Sequence, residues 1–459
     1  MINNHASSPS IPSNPFDTVS LFKWGVLAFT LIWTLFNLHE SMLENVAHDA
    51  LPYMDDYVSK FVSEGRWVNF ALFDGLRLVP AVVAATLCNV FIAIFGYQVA
   101  MGVRKDRWLA CCFALLVVNI PYFTMLFKWP MTLIPGTLML ALFSCIKDRY
   151  SRPVILLTSG IVLFATYPAF YFLMPLLFIR QLNEENFHSL LQFLGFWIAG
   201  YVLGYAVANL SVYGYTLLQT GTGHFIEFVS WRKSTPSTDI SGIIANIAKS
   251  AGNFERNARY LAELSPLFYV PIAVTFVWAL KHHLKYTLIA LLVIFSIYAS
   301  VIPLGVKVPL RSGVTLPLGM AMLVLLVPRF WLRTLLLVTL FIPFAWQMHQ
   351  YNHGYNEKRM LFAEVITEHD TQNYLQQPQQ FKKIIVSVDE AKTSAYFYKL
   401  TGSDAFKNLS NLRLHYIKPY LYQYGWHDKD IIVKDVPRTE VRGEATLEKR
   451  GDQLLVSID

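Results

Sequence analysis

From Leu78 to Val103 the chain carries no charged side chain. A bilayer's hydrocarbon core takes about 20 residues of α-helix to cross, and within it each backbone N–H and C=O must find its partner inside the segment. Further apolar runs lie near 22–38, 108–125, 131–146, 153–167, 169–180, 190–212, 266–280, 286–303, 314–327 and 334–350. Hydrophobic residues make up 54% of the chain and charged residues 15%, against roughly 25% charged in an average soluble domain. These runs predict a polytopic α-helical membrane protein of about 9–11 transmembrane segments. The net charge of +7 is then accounted for by basic loops beside anionic headgroups, and no nucleic-acid partner is expected.

Residues 1–20 are polar and rich in Ser, Pro and Asn, with no basic n-region and no cleavage site. They read as a disordered cytoplasmic tail ahead of an uncleaved first span. Cys88, Cys111, Cys112 and Cys145 lie in or beside apolar spans with neither metal-type spacing nor a disulfide framework, so they read as packing residues.

Basic residues set the expected orientation. The short connections hold Arg104, Lys105 and Arg107, then Lys147, Arg149 and Arg152, then Arg180, then Lys281 and Lys285, then Arg329 and Arg333. The positive-inside rule puts them and the N-terminus in the cytoplasm. Segment 153–180, broken at Thr166-Tyr167-Pro168, fits a tight hairpin, a re-entrant pair or one kinked span. Only the last would move Lys281, Lys285, Arg329 and Arg333 outside, and it is rejected on that ground.

Four regions then face outward: the loop 39–77, the turn around Lys128, the loop 213–265 and the segment 304–313. The spans and their loops form a unit over 21–350, and residues 351–459 an outward soluble tail. In that tail FKKIIVSVD (381–389), NLRLHYI, DIIVKD and QLLVSI resemble strands, and 390–400 suits a helix, which predicts a small α/β domain.

The first outward loop carries the densest chemistry, PYMDDYVSKFVSEGRWVNFALFDGLR over 52–77. Titratable groups at a bilayer edge are usually functional. Asp55 or Asp56 suits a general base on a sugar hydroxyl; the plainer alternative is capping of a helix start. Arg77, Lys307 and Arg311 sit at headgroup depth, where a cation holds a phosphate or simply anchors the chain. Glu64, Arg66 and Trp67, with Lys128 and with Trp231 and Arg232, mix acid, base and aromatic planes in a way that suits sugar rings. Glu64 and Asp74 also suit plain ion pairing with Arg66 and Arg77. In the long loop, 243–264 reads as an amphipathic helix whose Ile243, Ile244, Ile247 and Ala251 suit a membrane surface. Asn89 and Asn119 within spans suit interhelical hydrogen bonds. No phosphate-binding loop, GxGxxG or HExxH is present, no metal site is expected, and no cofactor is expected.

An inward N-terminus, an acidic pair in the first outward loop, a re-entrant-like pair mid-chain and an outward C-terminal domain together resemble the GT-C class of integral-membrane glycosyltransferases. MDDYVSKFVSEGRW is most similar to the serotype-converting O-antigen glucosyltransferases of bacteria and their phages. The resemblance implies a bacterial inner-membrane enzyme with its C-terminal domain in the periplasm. The donor would be glucose on undecaprenyl phosphate and the acceptor a sugar hydroxyl of lipid-linked O-antigen, modifying lipopolysaccharide. A flippase and a donor-synthesising glycosyltransferase would supply the donor. It implies Asp55 or Asp56 as the base of an inverting transfer and Arg311 as the holder of the departing phosphate. Many members have Asp-Glu where this chain has Asp-Asp. Two other readings compete. An O-antigen polymerase or ligase would typically lack a folded outward C-terminal domain, and a transporter or flippase would place acids inside the spans.

Overall fold

A computed structural model describes residues 18–42, 57–127, 130–227, 234–265, 268–401, 417–422 and 424–458. Asp55, Asp56, Lys128, Trp231 and Arg232 lie outside these, as do residues 402–416, which include most of NLRLHYI. The described residues are mostly helical (73%). Among the described residues, four helices have stretches long and apolar enough to cross a membrane: Thr18–His39, Ala81–Val103, Phe187–Thr220 and Phe330–His353. A fifth results if Ile240–Leu264 and Tyr269–His282, bent by 118°, form one broken span. Large apolar side chains point outward from these helices, with Trp24 and Ile32 each 67% exposed and Leu210 65% exposed. A surface of this kind is compatible with a lipid-embedded protein.

Prolines explain where the elements depart from the apolar runs. The run 108–125 splits into Arg107–Val118 and Pro121–Leu126, because proline disfavours helical backbone in the residue before it; Ile120 is extended, with ψ 120°. The run 169–180 becomes a 3-10 segment, Pro168–Leu177, with Pro175 inside it. Phe330–Thr367 runs on for 38 residues, through the domain boundary expected at 351, since 357–364 (EKRMLFAE) is rich in good helix formers. At 1.5 Å per residue it is about 57 Å long, well beyond a bilayer core.

Hydrogen bonds sort the loops to two ends of the bundle. At one end Arg104 donates to the carbonyls of Leu325 (2.8 Å), Leu326 (2.9 Å) and Val327 (3.2 Å). There Lys147 donates to Leu177 O (3.0 Å), and Arg333 to Val327 O (2.9 Å). Arg152 pairs with Glu185, whose carbonyl also accepts from Lys285. All five short basic connections thus take part in these contacts, satisfying carbonyls that helix C-termini leave open. The Arg152–Glu185 pair closes the base of 153–180, which is therefore a hairpin of one α-limb and one 3-10 limb. At the other end Asn69 donates to Thr132 O (2.9 Å) and Thr166 O (3.3 Å), and Thr235 N–H to Leu304 O (2.9 Å).

The tightest packing joins Arg152–Phe164 to Phe187–Thr220. A Cβ on Gly160 would lie 2.1 Å from Gly200 O, and one on Gly204 2.4 Å from Gly160 O. These are backbone-to-backbone contacts of the small-xxx-small kind. Asn119, expected to bond between helices, does so: its amide donates to Thr34 Oγ1 (2.7 Å) and its Oδ1 accepts from Asn37 (3.1 Å). Asn89 instead bonds within its own helix, to Ala85 O. All four cysteines are free. Cys88 and Cys112 are buried, Cys111 is partly buried and Cys145 is exposed, so only the first two are core packing residues.

The tail holds a four-stranded sheet of β1 (Lys383–Val388), β2 (Ile431–Asp435), β3 (Ala445–Arg450) and β4 (Gln453–Ile458), in the order β2-β1-β4-β3. β1 runs parallel to β2 and β4, while β3 and β4 form an antiparallel hairpin. The helix Glu390–Thr401 follows β1. Ile384, Val386, Leu454, Val456 and Ile458 fill a core separate from that of the bundle, and Ile366, on the last turn of the long helix, joins it.

Candidate functional site

The loop from residue 57 folds as two short helices, Val58–Glu64 and Trp67–Leu76, joined by Gly65 and Arg66. Gly65 ends the first in left-handed backbone (φ 71°), its N–H bonded to Phe61 O at 2.7 Å, a cap that favours glycine. A Cβ there would lie 2.7 Å from Ala208 Cβ and 2.6 Å from Ile226 Cδ1. The turn is thus pressed onto the Phe187–Thr220 helix. Phe61 stacks on Phe70 at 4.7 Å, and Tyr215 stands edge-on to both.

That packing turns Glu64 and Arg66 inward, leaving them 9% and 8% exposed. Arg66 Nη2 lies 2.5 Å from Glu64 Oε2, and Lys60 Nζ 2.9 Å from Glu64 Oε1. The Arg66 guanidinium covers the Tyr167 ring at 5.1 Å. Burial works against the Arg66 charge, but Glu64, Tyr57 and Tyr167 outweigh it and hold the guanidinium pKa above the usual arginine value. Burial also raises the pKa of the Tyr57 hydroxyl, against the opposing pull of Arg66. Among the described residues Arg66 Nε has no hydrogen-bond partner, a buried donor that a ligand or water would satisfy.

Glu64 and Arg66 form part of the wall of a cavity of about 140 Å³. Lys307 reaches it from the segment 304–309, and Ser300 and Ser312 add hydroxyls. Tyr167, Tyr201, Tyr205, Phe164 and Phe172 supply an aromatic side. Tyr167 Oη and Ser312 Oγ lie 2.8 Å apart, tying the turn of the 153–180 hairpin to the Leu310–Ser312 turn. Lys307 is exposed and forms no ion pair among the described residues. A lysine ammonium, a buried guanidinium and hydroxyl donors beside aromatic walls suit an anion that carries a ring or an apolar chain.

The structure therefore brings together Glu64, Arg66 and Lys307 from the sequence-predicted set. Arg311, half-buried on the neighbouring turn, is not on the cavity wall. Arg77 pairs with Asp74 at 3.0 Å on the exposed end of its helix, away from that wall. Trp67 is half-buried, with its indole N–H unpartnered among the described residues, and also stands off the wall. Sequence reasoning missed Tyr167, Tyr201, Tyr205, Ser300 and Ser312. Only Tyr167 had a signal, the Tyr-Pro break of the hairpin. Asp55 and Asp56 directly precede Tyr57, whose hydroxyl accepts from Asn69 at 3.1 Å.

No protein family model, curated protein or solved structure matches the chain.

Proposed function

We propose that this chain is a GT-C-like membrane glycosyltransferase of about 9–11 transmembrane segments, with its N-terminus in the cytoplasm and its cavity and C-terminal domain in the periplasm of a bacterial inner membrane. It takes a glucosyl residue from undecaprenyl-phosphate-glucose and places it on a hydroxyl of lipid-linked O-antigen. Asp55 or Asp56 removes the proton from the attacking hydroxyl, whose oxygen bonds to the anomeric carbon as the bond to the lipid phosphate breaks on the opposite face, a single displacement that inverts the centre. Positive charge at the cavity stabilises the departing lipid phosphate, whose charge grows as the bond breaks. Lys307 and Arg66 stand at the cavity for this, with Arg311 on the adjacent turn.

The observation that carries the reading is the cavity itself. It gathers buried Arg66–Glu64 and Lys307, which has no ion pair among the described residues, at the bundle end opposite the cluster of basic connections; Asp55 and Asp56 precede Glu64 by nine and eight residues in the sequence. The test compares the surface polysaccharide of cells with and without this protein. An added glucosyl branch only in its presence supports the reading, and identical polysaccharides refute it.

A further inference from the structure

The helix Ile240–Leu264 is amphipathic, yet its polar stripe is the side turned into the protein. Asn246, Ser250, Asn253 and Asn257 are all buried. Asn246 donates to Thr235 O (2.8 Å) and Ser237 Oγ (2.6 Å), and Ser250 to Tyr298 O (2.6 Å). The outward face of the first three turns is apolar instead, with Ile240 77%, Ile243 42%, Ile244 62% and Ile247 48% exposed. Ala245, Ala248 and Ala251 complete it.

Charge divides this helix along its length. Asp239 caps the start, accepting from Gly242 N–H at 2.6 Å. Lys249 turns back toward Thr235 Oγ1. Exposed charge on the outward side begins with the Glu255–Arg259 pair, at 2.5 Å with both side chains about two-thirds exposed. An apolar face bounded by charge at both ends fits shallow insertion, because the charges resist drawing the helix deeper. The face is isoleucine and alanine with no Trp, Tyr or Arg, the residues that anchor protein–protein contacts.

We infer that the 240–251 half of this helix lies in the lipid–water interface and fixes the lip of the cavity at that depth. The link to the cavity is covalent and hydrogen-bonded. Asn246 holds Thr235, Thr235 N–H and Ser234 Oγ both donate to Leu304 O (2.9 and 3.0 Å), and Ser237 N–H donates to Pro303 O (3.0 Å). Leu304 lines the cavity. A substrate with a lipid tail would then reach Lys307 and Arg66 sideways from the bilayer. The inference rests on the membrane reading of the chain, and the test separates the two.

Nitroxide labels are placed singly at Ile244→Cys, Val202→Cys and Glu255→Cys in the full chain with its four native cysteines replaced by alanine. Each protein is reconstituted in phosphatidylethanolamine–phosphatidylglycerol vesicles, and label collisions with oxygen and with a water-soluble nickel chelate are compared. Val202, outward on the long apolar helix, reports the hydrocarbon, and Glu255 reports water. The inference expects the oxygen-to-nickel ratio at 244 to be several-fold above that at 255 and below that at 202. A label at 244 matching 255 overturns it, as does one shielded from both reagents, which would mean a protein partner covers the face. A nickel-accessible label at 202 would instead overturn the membrane reading itself.

Discussion

Gly160→Ala and Gly195→Ala add the same methyl group to the two helices of the tightest pair, and the structure assigns them opposite signs. At Gly160 the new Cβ would meet Gly200 O at 2.1 Å, with the Gly200 carbonyl carbon at 2.5 Å and its Cα at 2.9 Å. Every obstacle is backbone, so no side chain can rotate away. The helices must part by roughly 1 Å, and a gap of that size forfeits a quarter to a half of the dispersion energy of the atoms it separates. Overpacking of this kind costs about 1–3 kcal/mol, and more where the neighbours are rigid; we expect about 3 kcal/mol. At Gly195, on the partner helix, nothing lies within 4 Å, so alanine should gain about 0.5–1 kcal/mol of helix propensity. The assay is thermal unfolding of the two purified variants in one detergent, followed by loss of the monodisperse elution peak. The shifted helices also carry Phe164, Tyr201 and Tyr205, whose rings meet edge to face at 5.6 Å on the cavity wall. Gly160→Ala should therefore lower activity as well as stability. Equal effects of the two substitutions, or a neutral Gly160→Ala, would refute the close approach.

Glu64→Gln removes the acid shared by Arg66 and Lys60, leaving a buried guanidinium short of its counter-charge; a loss of about 3–5 kcal/mol is expected from thermal unfolding. Lys307→Glu breaks no ion pair among the described residues, so it should leave the unfolding temperature unchanged while weakening donor use at least tenfold in KM, read in a transfer assay over a range of donor concentrations. Asp389 accepts from the N–H groups of Lys392 and Arg438, both at 2.9 Å, which hold its carboxyl below the usual range. A depressed folded pKa gives stability that is present above the unfolded value of about 3.9 and lost as pH falls through the folded one. The protection factors of the β1 amides, exchange rates corrected for the intrinsic effect of pH, should therefore fall below about pH 4, and Asp389→Asn should lower them at pH 7, with its difference from the native chain shrinking as the pH falls through the folded value.

Much of the architecture was legible in the residues because lipid imposes long apolar runs and strands impose alternation. KIIVSV and QLLVSI show period two and became β1 and β4, each buried on alternate positions. β3, ATLEKR, is an edge strand exposed along most of its length and has no apolar alternation to find. Its signal was the Gly451-Asp452 turn, with Gly451 at φ 63°, as two-residue hairpins require. The basic connections were placed on one end by a charge rule, and the structure gives them a second task as acceptorless donors capping carbonyls. Contacts between distant segments stayed hidden. Nothing in Gly160 or Gly200 announces the other, and the sequence that offers Arg66 as a sugar contact or ion-pair partner does not announce its burial, which follows from Gly65 pressing its turn onto Ala208. The cavity's tyrosines were lost among 24 in the chain, since an aromatic in an apolar helix has no spacing that separates wall from core.

Sugar transfer by the purified protein is the most direct test. The native chain and its Asp55→Asn, Asp56→Asn variant are reconstituted in vesicles with undecaprenyl-phosphate-[¹⁴C]glucose and a lipid-linked O-antigen acceptor. Label should pass to the acceptor with the native chain and fail to pass with the variant at an unchanged unfolding temperature. Transfer undiminished in the variant would remove the aspartates from the chemistry, and no transfer by a folded native chain would contradict the glycosyltransferase assignment.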